Sequence, residues 1–204
     1  MISAGRLDLC EYFKEDNRLK LWMNILYKCL QISPVNSDLT KLPTNNSELE
    51  EKESNYEWKM KINASNVLLN FFCFCTRVVK SNPDNWQRAT YSSFARDYSE
   101  IIIQQFFAIL GQAKAKQFVS PKVLMNIMRC LYHALQIDFF VMMLHPFFDT
   151  LLFELVLPLM KVHLKDIELW SNDPVQYIYS QDCTEDEHQK LKMAAKGLIE
   201  QIMQ

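Results

Sequence analysis

The side chains best suited to chemistry in this 204-residue sequence are its cysteines and histidines, and their spacing does not favour a reactive site. Cys73 and Cys75 lie two positions apart, so on a helix their side chains point about 200° apart and cannot share one ion. No second cysteine pair or nearby histidine completes a ligand set. The histidines are dispersed, at His133, His145, His163 and His188. We therefore predict no catalytic residue, no metal site and no cofactor, and we do not expect an enzyme.

A second group of charged side chains is acidic and lies in one polar segment. Residues 34–55 are rich in Asn, Ser and Glu, and they contain Glu48, Glu50, Glu51 and Glu53. We expect this segment to be a mobile loop, because it offers little apolar surface to offset the entropy of ordering it. A solvated linker is the simpler interpretation. The alternative is a contact for a basic partner, for which these four glutamates are the candidates.

The composition argues against several other classes of protein. The formal net charge of −2 gives no general footprint for nucleic acid or an anionic membrane. Three glycines are few for phosphate-binding loops or hairpin-rich β folds. Six cysteines without a secretory signal at Met1 are expected to be reduced thiols. Residues 139–160 are apolar enough to suggest a membrane span, but Asp149 and Glu154 favour a buried core helix.

Hydrophobic periodicity predicts helices along most of the chain. The predicted helices cover about residues 16–32, 56–80, 89–115, 121–137 and 147–160, and a last one opens at the capping box Thr184 to Glu187. Residues 165–183 are predicted to form an irregular insert between helices. The helix over 56–80 is apolar on two faces, which is typical of a helix covered on two sides. In the helix over 121–137, the polar residues Lys122, Asn126, Arg129 and His133 are predicted to face away from the core.

These elements predict an all-α fold. Successive helices with short breaks indicate a HEAT-like helical-repeat solenoid, an α–α superhelix in which residues 1–204 form one segment of stacked helical hairpins.

The most particular residues in the sequence lie between Val156 and Ile178. Val156-Leu-Pro-Leu-Met160 is followed by Asp166-Ile-Glu-Leu-Trp170 and then by Asn172-Asp-Pro-Val-Gln-Tyr-Ile178. This order of motifs resembles the importin-β superfamily of nuclear transport receptors, and most of all its importin seven and eight branch. Weaker resemblances lie in Tyr56–Thr76 and Phe118–Leu124.

The motif residues Trp170, Asp173, Pro174, Tyr177 and Ile178 are expected to be mainly structural. Because a proline disfavours the α conformation of the residue before it, Asp173 should be extended or in a turn. Trp170, Tyr177 and Ile178 would then contact neighbouring helices. The sequence also departs from the family pattern, since Asn172, Gln176 and Tyr179 replace an acidic residue, a glutamate and an arginine.

The resemblance implies a function in nucleocytoplasmic protein import. A receptor of this family binds protein cargo, which in this branch includes basic proteins, and nucleoporins, under the control of the GTPase Ran. Location in the nucleus and cytoplasm and at the nuclear pore would follow, without nucleic-acid or membrane partners. The family's main Ran contacts lie in repeats not recognised here, so tight binding of Ran-GTP by this chain is not expected. The alternative is a structural HEAT-repeat scaffold, or a truncated paralogue without independent transport activity.

Overall fold

The computed structural model describes residues 16–34, 37–81, 84–160, 164–182 and 187–203, and all regular structure within these ranges is helical. In chain order the α-helices are α1 (Asp16–Gln31), α2 (Asn46–Ser54), α3 (Tyr56–Lys80), α4 (Asn85–Asp97), α5 (Ser99–Lys114), α6 (Pro121–Ala134), α7 (Asp138–Leu144), α8 (Leu164–Asn172), α9 (Pro174–Asp182) and α10 (Glu187–Ile202). Short 3₁₀ turns cover Ser37–Thr40, His145–Phe147 and Leu157–Met160, and Thr150–Val156 is wound as a π-helix. The predicted all-α fold is confirmed.

The helices form two layers, and the chain alternates between them. We call α1, α4, α5 and the helical run 138–160 the first layer, and α3, α6 and α10 the second layer. Within the second layer, α3 contacts α6 and α6 contacts α10. Within the first layer, α1 contacts α4 and α5, and α5 contacts the π-helix. Each second-layer helix also contacts the first-layer helix that precedes it. In the described residues this makes three stacked helical pairs, which is the HEAT-like arrangement predicted from the sequence.

The second-layer helices α3 and α6 run in the same direction, as equivalent helices of successive pairs do. Asn126 Nδ2 donates to Ser65 Oγ at 3.0 Å, and Thr76 Oγ1 donates to His133 O at 3.1 Å. The paired residues are 61 and 57 positions apart, so a residue later in α3 contacts a residue later in α6, as in parallel helices. Asn126 is buried by this contact, and its predicted place on the exposed face is therefore wrong.

Phe72 lies in the core and connects the two layers. Its fully buried ring has its centroid 5.4 Å from that of Phe94, 6.1 Å from that of Phe106 and 5.8 Å from that of Phe140. These three partners come from α4, α5 and α7. Aromatic pairs at such separations contribute about 0.5–1.5 kcal/mol beyond the area they bury. The apolar faces of α3 are thus covered from more than one side, as its sequence pattern predicted.

Several predicted helix limits differ from the structure. The helix expected over 89–115 is divided at Tyr98, where φ is −130° and ψ is −26°, and its first part begins earlier because Asp84 and Gln87 form a capping box. The helix expected over 147–160 changes its winding several times. Pro158 lies in its last 3₁₀ turn and Pro146 in the 3₁₀ turn that leads into it, because a proline cannot donate the main-chain hydrogen bond that a regular α-helix needs.

Two segments predicted to be irregular contain helices instead. We call residues 32–55 the first connector and residues 164–182 the second connector; each follows the first-layer helix of a pair and precedes the second-layer helix. The first contains α2, and the second contains α8 and α9. Both predictions missed helices of nine residues that lack a long apolar period, and α2 and α9 begin at the local caps Asn45 and Asp173. The expected mobility of residues 34–55 stays a prediction, and Thr184 of the predicted capping box lies outside the described residues.

The length and composition of α3 alone would allow it to cross a membrane. The same is true of α6 joined to the run Asp138–Phe147, although those two helices meet at a bend of 117°. Half of the most apolar stretch of α3 is buried inside the protein, where it contacts helices of both layers. Core helices of globular proteins have the same length and composition.

Candidate partner-binding sites

The acidic candidate residues belong to α2, which is held at its start by a reciprocal cap. The main-chain N–H of Glu48 donates to Asn45 Oδ1 at 2.8 Å, and Glu48 Oε2 accepts from the N–H and the hydroxyl of Thr44, both at 2.9 Å. These hydrogen bonds from Thr44 are the main reason why the pKa of Glu48 lies below its usual value. Glu48 is therefore already engaged in fixing the helix.

Glu53 does not lie on the surface with the other glutamates. Its side chain is only 7% exposed; one carboxylate oxygen accepts a hydrogen bond from the Ser120 hydroxyl, and the other lies 2.6 Å from Lys122 Nζ. Ser120 and Lys122 belong to the beginning of α6. Glu53 therefore joins the first connector to the next helical pair, and its assignment as a partner contact does not agree with this position.

Lys52 anchors the same connector from within. Its buried ammonium donates to the main-chain carbonyls of Asp38 and Lys41, the latter at 3.0 Å, and lies 3.4 Å from Glu48 Oε1. It also lies 5.6 Å from the centre of the Phe118 ring. Of the four acidic candidates, this leaves Glu50 and Glu51 as the exposed ones.

The two weaker motif segments identified in the sequence meet in space. The ring of Trp58, at the start of α3, packs edge-on against Phe118 with centroids 5.1 Å apart. The N–H of Phe118 donates to Thr40 O at 2.8 Å, which ties the α5–α6 turn to the first connector. The Lys61 ammonium lies 5.1 Å from the Trp58 ring centre, and burial lowers the pKa of Lys61 although Glu57 opposes that shift.

The strongest motif residues lie in the second connector. Asp173 ends the break between α8 and α9: its Oδ1 accepts from the N–H of Gln176 at 2.9 Å, and its main-chain oxygen accepts from the N–H of Tyr177 at 3.0 Å. Pro174 takes the first helical position, where no N–H is needed. The break expected at Asp173 is therefore present, and it separates two helices.

The aromatic motif residues are less enclosed than expected. Trp170 and Tyr177 pack edge-on, with ring centroids 5.4 Å apart, but Trp170 remains 52% exposed. Ile178 is 56% exposed. The expected contact between neighbouring helices is thus present at Trp170 and Tyr177, while Trp170 and Ile178 remain more than half exposed.

Sequence reasoning missed a cavity of about 270 Å³ between α3 and α6, which is lined by Asn70, Cys73, Thr76, Arg77 and His133. A signal for this surface was present in the sequence. Polar side chains recur along α3 at the three-and-four spacing of one exposed face, at positions 59, 63, 66, 70, 73, 77 and 80. Cys75 lies on the buried side of α3, away from Cys73. The described part of the chain contains no group of three metal-ligating side chains.

Comparison with known proteins agrees with the family resemblance of the motifs. The chain is 27% identical over 121 residues to the importin beta-like SAD2 homolog of Arabidopsis thaliana, and 29% identical over 106 residues to Importin-8 of Danio rerio. The chain resembles importin-β-like proteins. These matches cover 59% and 52% of this chain but only 12% and 10% of the two relatives. No family model matches the chain, and no solved structure does.

Proposed function

We propose that this chain forms part of an importin-β-like nuclear transport receptor that binds protein cargo and nucleoporins under the control of Ran-GTP, moving between cytoplasm and nucleus and through the nuclear pore. The observation that carries the proposal is the stack of helical pairs in a sequence similar to two importin-β-like proteins. In stacked repeats each pair contacts its neighbours, which leaves long surfaces of both layers open to partners. The proposal assigns no enzymatic activity.

The surface of α2 is the proposed contact for a basic cargo. Glu50 and Glu51 are exposed on a helix whose other side is fixed by Lys52 and Glu53. Two carboxylates on a helix that keeps its fold on binding attract a lysine-rich segment at smaller entropic cost than a mobile loop does. The attraction should weaken with salt, since the Debye length is about 8 Å at physiological ionic strength.

The first layer offers a separate surface for nuclear-pore repeats. Exposed apolar side chains occur on α7 and on the run that follows it, at Met142, Phe147 and Phe153. These three side chains lie within twelve positions of one another, and exposed apolar patches are typical of surfaces that bind other proteins.

The transport proposal can be tested with a fluorescent fusion of the 204-residue chain in permeabilised cells. We expect accumulation at the nuclear rim and in the nucleus, compared with a fusion to an unrelated helical protein of the same length. Phe147→Ser together with Phe153→Ser should reduce the rim signal, whereas Leu21→Ser together with Ile25→Ser, two exposed apolar residues of α1, should not. A fusion that stays outside the nucleus like the unrelated control would contradict the proposal.

The cargo contact can be tested separately by titrating a labelled lysine-rich peptide. Glu50→Gln with Glu51→Gln should weaken salt-sensitive binding. Glu100→Gln with Glu168→Gln removes the same charge from exposed positions elsewhere and should leave binding unchanged. Equal binding by both double variants would show that basic cargo does not contact α2.

Ran provides a third measurement on the isolated chain. We expect no submicromolar, GTP-selective binding of Ran, because a short stack of pairs offers few of the distributed contacts that such binding needs. Tight GTP-selective binding would assign Ran recognition to the described helices themselves.

A further inference from the structure

The groove between α3 and α6 carries the cavity described above, on the open face of the second layer. Its volume of about 270 Å³ is slightly below the roughly 300–1,000 Å³ of typical small-molecule sites, so it suits one or two side chains of a protein partner better than a cofactor. The cavity lies near the carboxyl-terminal ends of both helices, between the faces that carry Arg77 and His133.

Three cations surround this cavity. Arg77 lines it directly, and Lys80 follows one turn later on α3. Arg129 is exposed on α6, one turn before His133. The pKa of His133 is lowered first by burial and then by the charges of Lys80 and Arg129, which places both cations near the imidazole.

Among the residues that the structure describes, these cations have no carboxylate partner, unlike Lys114 and Arg96. Lys114 is paired with Glu154, and Arg96 is paired with Asp97, each at 2.7 Å. Within the described ranges no ion pair forms at Arg77, Lys80 or Arg129. Lys80 Nζ donates a hydrogen bond to Gln136 Oε1 at 2.5 Å, and Arg77 Nε donates one to Cys73 O at 3.4 Å. The charges of these three side chains are therefore available to an anionic partner.

The groove also contains an unsatisfied polar atom. Nδ1 of His133 is buried and has no hydrogen-bond partner within the described parts of the chain. Buried polar atoms are nearly always paired, so an atom without a partner in a cavity wall marks a place where a partner group gains stability by binding. Asn70 also lines the cavity, and its side-chain amide can donate to a carboxylate oxygen, whereas the Thr76 hydroxyl already donates to His133 O.

We propose that this groove binds an acidic, Asp/Glu-rich segment of a partner protein, with a carboxylate side chain seated between Arg77, Arg129 and the cavity. Lys80 then meets a second carboxylate of the same segment. A single-stranded nucleic acid fits less well, because such sites combine cations with aromatic stacking platforms and, in the part of the chain that the structure describes, no Phe, Tyr or Trp lines the cavity. The inference rests on the groove alone and holds whether or not the chain acts in transport.

The test uses the full 204-residue chain and a fluorescein-labelled peptide of six Asp-Glu repeats. Binding is measured by fluorescence anisotropy at low and at physiological salt. Arg77→Glu with Arg129→Glu should weaken binding about tenfold or more, since charge-assisted hydrogen bonds are lost and repulsion is added. Arg77→Lys with Arg129→Lys retains the charges and should keep most of the affinity. Circular dichroism and thermal melting establish that each variant is folded.

The matched control places the same charge change on another helix. Lys20→Glu with Lys28→Glu alters two exposed lysines of α1, and it should change the affinity less than twofold if the groove and not the net charge is responsible. Equal losses in the groove variant and in this control would overturn the proposal. Failure of the parent chain to bind the peptide at low salt would also overturn it.

Two further measurements locate the site and identify the class of partner. Cys73 lines the cavity and is half-buried, so bound peptide should slow its alkylation by iodoacetamide without affecting Cys29 on α1. Alkylation of Cys73 at an unchanged rate in the presence of saturating peptide places the peptide elsewhere and contradicts the proposal. A labelled oligouridine of twelve nucleotides that binds more tightly than the peptide, and is lost in the groove variant, would assign the groove to nucleic acid instead.

Discussion

The two connectors occupy equivalent positions in their helical pairs but are held by opposite means. The first connector is polar, yet Lys52 and Glu53 are buried and bonded to groups up to 69 residues away. The second connector is rich in aromatic and apolar residues, yet Trp170, Val175, Ile178 and Tyr179 are all more than half exposed. Which side chains of a connector are buried thus depends on where they find partners, and not on how apolar the connector is.

The difference has consequences for function. The connector anchored at Lys52 and Glu53 carries Glu50 and Glu51 at exposed positions of a capped helix. A connector with exposed apolar side chains presents a surface that another protein can cover. The two connectors of one chain therefore offer surfaces of different chemistry.

The largest effect is expected when the buried carboxylate of the first connector is removed. Glu53→Ala removes the carboxylate that accepts from the Ser120 hydroxyl and pairs with Lys122, and it should lower the free energy of unfolding by about 2–3 kcal/mol, less than for a fully buried pair because Lys122 can reach water. Urea denaturation of Glu53→Ala beside Glu51→Ala measures this difference, since the exposed Glu51 should contribute within about 0.5 kcal/mol. Equal stability of the two variants would mean that Glu53 does not fix the connector.

A smaller loss is expected at Lys52. Lys52→Met keeps the apolar stem but removes the donor to the carbonyls of Asp38 and Lys41, which should cost about 1–2 kcal/mol. Hydrogen exchange should become faster in residues 37–54 and stay unchanged in α6. Lys59→Met, at an exposed position of α3, is the control and should alter neither measurement.

In the second connector the effect of removing an aromatic ring should be modest. Trp170→Ala removes the edge-on contact with Tyr177 and should cost about 0.5–1 kcal/mol, because the ring is already half in water. Trp170→Phe should recover most of that loss. A cost above about 2 kcal/mol would show that Trp170 has further contacts, as the family motif had suggested.

The smallest effect is expected for the outermost side chains. Val175→Ser and Tyr179→Ser, at positions 62% and 74% exposed, should each change the free energy of unfolding by no more than about 0.5 kcal/mol. Thermal melting of the two variants beside the parent is sufficient to measure this. A clear destabilisation would mean that the second connector is covered in solution, for example by a second copy of the chain.

The limits of sequence-based prediction can be seen in particular residues. Helix α3 was predicted with its limits because its apolar residues repeat without interruption and Asn55 and Ser81 flank it. Helix α2 was missed because it is short, polar and stabilised by caps and by two long-range anchors. Glu53 was grouped with its exposed neighbours because a carboxylate in a polar run gives no local sign of burial. The cavity at His133 was missed because its walls come from two helices about 60 positions apart.

The amino-acid sequence by itself determined the helical class, the stacking of helical pairs and the resemblance to importin-β-like proteins, because helical periodicity and short motifs depend on residues close together in the chain. Only the tertiary structure decided which charges are buried, which aromatic residues remain exposed and where Arg77, Arg129 and His133 come together. Those properties depend on contacts between distant residues, whose partners no local pattern identifies.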